Sequence, residues 1–74
     1  MEVKVGKKYR HFKGMVVEVI ALAKHSETLE SMVVYIHDNE VWVRPYELFI
    51  SKVDKEKYPD VLQEYRFEEV EDNA

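Results

Sequence analysis

Seventy-four residues with 35% charged and 46% hydrophobic side chains, two Gly, two Pro and no Cys make one globular domain. They exclude a disordered chain, a disulfide scaffold and a thiolate metal site. The net charge of −4 is unevenly laid out, with six basic and two acidic side chains in residues 1–25 and the acidic excess in the remainder. That split suits either an anion-binding face or pairing of the two segments across the fold.

Val3–Gly6 reads as a lead-in, and Lys8–Lys13 as a short strand in which cations and rings alternate. Lys13-Gly14 is a turn, because Gly accepts the positive φ of a tight hairpin. Met15–Lys24 is a long strand. Its Val17, Val19, Ala21 and Ala23 are expected to face the core, and Ile20 and Leu22, on the other side, to be covered by the C-terminal segment. A strand this long, apolar on both sides in its middle, is expected to bend. His25–Glu30 is a polar connection, Ser31–His37 a third strand, Asp38-Asn39 a turn, and Glu40–Arg44 a fourth strand ended by Pro45. Tyr46–Ile50 follows as a helical turn with Leu48 and Phe49 inward, and Lys52-Val53 as one more short strand. The tail changes character. Pro59 and Asp60 suit the first turn of a helix carrying Val61, Leu62 and Tyr65, and Arg66–Val70 suits a last strand. Residues 71–74 are expected to fray. The whole chain, 1–74, reads as one domain with a core over 6–53 and a tail over 54–74. Its class is mainly β: a small antiparallel SH3-like barrel or curled meander with a short C-terminal helix.

Four groups of residues could carry function. Tyr9, Arg10, His11, Phe12 and Lys13 interleave cations with stackable rings, which suits nucleic acid or another anion. Against nucleic acid stands the sequence pI of about 5.3. His25-Ser26-Glu27-Thr28 cannot form a catalytic triad, because three neighbouring residues cannot aim at one another. The simpler role for that segment is a loop whose side chains satisfy its own backbone. His11, His25 and His37 do not make a zinc site, since the stretch from Val17 to His25 spans about 26 Å of strand. Trp42 and Arg44 share one side of a strand. With Val41 and Val43 turned to the core, they would stand together at the surface beside Pro45 and Tyr46. The alternative packs Trp42 under the tail and pairs Arg44 with Glu47 or Glu27.

The motifs Tyr9-Arg10-His11-Phe12-Lys13-Gly14, His25-Ser26-Glu27-Thr28, Val33-Val34-Tyr35 and Trp42-Val43-Arg44-Pro45, in that order, resemble a small bacterial family called domain of unknown function 1653. The resemblance covers about residues 6–53. It implies a compact, mainly β domain and no activity. The stretch between Tyr35 and Trp42 is shorter here than in the family pattern, and the tail from Asp54 is more helical.

The expectation is a non-enzymatic binding module with no cofactor, no metal and no catalytic residue. It would use Tyr9, His11, His25, Glu27, Trp42 and Arg44 to recognise a small anionic ligand or a protein segment. A nucleic-acid-binding domain using Lys7–Lys13, and a small enzyme centred on His25, are the alternatives. No apolar run approaches the ~20 residues of a membrane span, and MEVKVGKK lacks the apolar stretch of a signal peptide. These point to a cytoplasmic protein. Strands apolar on both sides also leave room for a homodimer.

Overall fold

The computed structural model describes residues 1–70. Five strands, β1 (Lys8–His11), β2 (Val16–Lys24), β3 (Ser31–His37), β4 (Glu40–Pro45) and β5 (Phe67–Glu69), form one antiparallel open sheet in the order β4-β3-β2-β1-β5. Strands β1 to β4 follow one another as the expected meander, and β5 returns to pair with β1 at the opposite edge from β4. Helix α1 (Tyr46–Phe49) follows β4 directly.

The turns set the registers. Phe12, Lys13 and Gly14 join β1 to β2, with the His11 amide bonded to the Met15 carbonyl at 2.8 Å and Gly14 at φ +105°. A Cβ on Gly14 would meet open space, so only the backbone resists substitution. Gly14→Ala is therefore expected to cost about 1 kcal/mol, read as a shift in a denaturant midpoint at unchanged slope. Asp38 and Asn39, at φ +56° and +64°, form a two-residue turn of the type that matches strand twist. That turn pairs His37 with Glu40, and hence Tyr35 with Trp42 and Val33 with Arg44.

Residues paired across a ladder share a face. Tyr9, Val17, Val19, Val33, Tyr35 and Phe67 all lie on one side of the sheet and are buried. Phe49, from α1, closes over them, its ring stacked on Phe67 at 4.1 Å and edge-on to Tyr9 at 5.5 Å. The lead-in satisfies the two phenols that this core would otherwise strand. The Val3 amide donates to the Tyr46 hydroxyl at 3.0 Å and the Lys4 amide to the Tyr9 hydroxyl at 2.9 Å.

Three sequence expectations are corrected here. Trp42 and Arg44 lie on the core face, and Val41 and Val43, 64% and 58% exposed, lie on the outer one. The turn fixes this parity, and the burial of Tyr35 and Val33 decides which face is inside. In β2 a bulge at Ile20 shifts the register, so Leu22, paired with Val33, continues the core row instead of Ala21 and Ala23. Ile20 and Leu22 remain partly exposed, because the tail crosses the other end of the sheet. Third, the single helix among the described residues is Tyr46–Phe49, and no helix forms from Pro59. An isolated helix that short is marginal on its own, and Leu62 is fully exposed, so the expected stripe has nothing to pack against. Instead the Lys55 ammonium ties the Val61 and Gln63 carbonyls, and Gln63 Nε2 reaches the Arg10 carbonyl at 2.9 Å. Lys52 makes one bridge, to Tyr65. The expected fraying of residues 71–74 lies outside the described residues.

Candidate functional site: a cationic cleft at the end of β1

At the end of β1 the tail and the sheet enclose a cleft of about 470 Å³. This is within the size range of small-molecule sites. His11 forms its floor and Phe12 and Tyr58 one wall, their rings 4.9 Å apart. Lys13, Arg44, Lys52, Lys57 and Arg66 supply cations from the β1–β2 turn, from β4 and from both ends of the tail loop.

Charge pairing around this cleft is sparse. Among the described residues one salt bridge exists, Lys52 to Glu64 at 3.5 Å. Asp54, the one carboxylate in the lining, spends an oxygen on the amides of Glu56 and Lys57 at 3.0 and 3.4 Å. Lys13, Arg44, Lys57 and Arg66 thus face the cleft with no carboxylate within bridging distance among the described residues, in a chain with four more acids than bases. Neutral neighbours hold them instead. Arg66 Nε donates to Ser51 Oγ at 3.1 Å, Arg44 lies 5.5 Å above the Phe67 ring, and Lys13 and Lys57 sit over Tyr58 at 5.7 and 5.6 Å.

His11 responds to this field. It is 6% exposed, stacks on Phe12 at 4.4 Å and meets the edge of Phe67 at 4.9 Å. Burial first, then the positive charges of Arg44, Arg66 and Lys13, lower its pKa from 6.5 to about 4. Its Nδ1 accepts the Lys13 amide at 3.1 Å. At neutral pH the ring proton therefore sits on Nε2 as a donor.

The residues singled out from sequence fall into four groups. His11 and Arg44 come together in the cleft. Tyr9 shares their face but is wholly buried, with its hydroxyl spent on Lys4. Trp42, 46% exposed, stands outside the cleft lining and donates its indole N–H to the His37 carbonyl at 3.1 Å. His25 and Glu27 are exposed in the β2–β3 turn, where His25 Nδ1 accepts the amides of Glu27 and Thr28 at 3.2 and 3.3 Å. The basic run divides as well. Lys8 and Arg10 stand opposite Glu18 and Glu68 on the outer face, and only Lys13 turns into the cleft. Lys52, Lys57, Tyr58 and Arg66 were not singled out from sequence. Lys52 and Arg66 come from stretches read as short strands, and Lys57 and Tyr58 from the residues just before the expected helix, so their convergence on His11 depends on the loop that forms in place of that helix.

Among the described residues, no three His, Asp or Glu side chains are grouped as a metal would need, and no helix is long and apolar enough to cross a membrane. The model of a family described as Protein of unknown function (DUF1653) matches residues 7–69. No curated protein and no solved structure matches the chain.

Proposed function

The chain belongs to the DUF1653 family, and from that premise we propose that it is a binding module for a small oxyanion, such as a phosphate, sulfate or carboxylate group, received in the cleft above His11. The observation that carries this reading is the convergence of Lys13, Arg44, Lys57 and Arg66 on one concavity, none of them bridged to a carboxylate among the described residues and with Asp54 the one acid in the lining. Like charges repel, and four cations gathered around a single carboxylate destabilise the empty site. An oxyanion relieves that repulsion. The two guanidiniums offer planar paired donors, the two ammoniums point charges, and the neutral imidazole one further N–H at the floor. The Phe12–Tyr58 wall favours a ligand that carries a flat or apolar body behind its anionic head.

Titration calorimetry with inorganic phosphate and with sulfate, at low and physiological salt, tests the proposal. Saturable binding that weakens with salt is expected. Arg44→Gln and Arg66→Gln should each lower affinity about tenfold, the scale of one charge-assisted hydrogen bond. No heat at low salt, or heat unchanged in the double variant, would remove the reading.

A further inference from the structure

Strand β4 is an open edge with a symmetric sequence. Glu40-Val41-Trp42-Val43-Arg44 reads the same from both ends except that the terminal charges are opposite. The two-residue turn makes His37–Glu40 a hydrogen-bonded pair, so Glu40, Trp42 and Arg44 aim their amides and carbonyls at β3. Val41 and Val43 aim theirs outward, at solvent. Pro45, next on that side, has no N–H to offer and ends the row of donors. At the opposite edge β5 has only three residues.

We infer that β4 pairs antiparallel with β4 of a second copy of this chain, about a two-fold axis through Trp42, joining two five-stranded sheets into one. In this register Val41 of each copy stands opposite Val43 of the other and exchanges both main-chain bonds with it, giving about four across the junction. Glu40 stands opposite Arg44 of the second copy on the core face, at both ends of the pairing. Trp42 meets Trp42 on that same face, and Val41 and Val43 meet on the outer face, so every opposed pair is favourable. A register shifted by two residues toward either end sets Glu40 against Trp42, or Trp42 against Arg44, and loses both charge pairs. This self-complementarity selects a second copy over an unrelated extended peptide as the occupant. The apolar halves of the two outer faces, which include Val41, Val43 and Ile36 at 64%, 58% and 39% exposure, become neighbours across the junction. Arg44 has donors enough for a carboxylate of the second copy and for an anion in the cleft, so the pairing does not depend on the anion reading.

Sedimentation velocity across micromolar to millimolar concentrations decides it. The 8.9 kDa chain is expected to shift to twice that mass as concentration rises. Val43→Pro removes an outward N–H without touching the β3 ladder, and Glu40→Lys sets like charges opposite each other at both ends. Each should weaken the dimer at least tenfold, with circular dichroism unchanged. A wild-type chain that stays at single mass through millimolar concentration overturns the inference. So does a dimer that survives Val43→Pro in a folded chain. If Val43→Pro does not fold, a dimer of wild-type strength in Glu40→Lys overturns it equally.

Discussion

Phe49→Ala is expected to leave the chain largely unfolded at 25 °C. The Phe49 ring is fully buried, lies parallel to Phe67 at 4.1 Å and meets Tyr9 and Tyr35 at 5.5 and 5.9 Å. It is the one side chain of α1 that is buried in the core. Truncating a buried Phe removes its transfer free energy and leaves a cavity, together about 3–5 kcal/mol. A single small core with no disulfide supplies stability of that order in total. Phe49→Leu, which keeps most of the volume, should stay folded with a lowered denaturant midpoint. The check is the near-ultraviolet dichroism of both variants: lost in the first, retained in the second. A folded Phe49→Ala chain with an unchanged midpoint would mean that the sheet does not need α1 as its lid.

The second large effect is a dependence of stability on pH centred on His11. Its folded pKa of about 4 lies below the unfolded 6.5, so the unfolded chain takes up the proton first as pH falls. The contribution is complete above about 6.5, declines as pH drops toward 4, and is gone below that. Between pH 7.5 and pH 5 the wild-type chain should lose about 2 kcal/mol more than His11→Gln, whose amide oxygen can still accept the Lys13 amide. Urea melts of the two proteins at both pH values give the difference directly, because titrating carboxylates contribute equally to each. Equal losses would show that the imidazole is not held neutral among Arg44, Arg66 and Lys13.

Much of the fold was legible because its signals are local. Alternation placed Tyr9 and His11 on one side of β1, though both were expected in a surface patch and that side is buried. Gly14 and Asp38-Asn39 marked both tight turns, and the third strand was bounded at Ser31–His37 as found. The parity of β4 was also in the sequence, though in a combination of signals. A two-residue turn at Asp38-Asn39 makes Trp42 share a face with Tyr35, so the burial of either one settles both. Valine's preference for interiors pointed the other way, and the turn prevailed because register is a geometric constraint and hydrophobicity a bias. The bulge at Ile20 had no residue to announce it. A bulge commonly uses Gly, and here it falls within a run of apolar residues.

The site was half legible. His11 and Arg44 were singled out for their chemistry, and the fold brings them together. Lys57, Tyr58 and Arg66 lie in a tail whose helical signals, Pro59 and a short apolar stripe, were outweighed by long-range bonds such as Gln63 to Arg10. His25 and Glu27, by contrast, are accounted for within their own turn, where the imidazole of His25 caps backbone amides.

The central claim is that the cleft is an anion receptor built around a neutral imidazole, and the His11 titration followed by NMR with and without sulfate tests it most directly. Sulfate remains a dianion across the pH range concerned. Without it, His11 should titrate near 4. With it, the midpoint should rise, because an anion beside Arg44 and Arg66 offsets the charges that oppose protonation. A midpoint that starts near 6.5, or one that sulfate leaves unmoved, would contradict the claim.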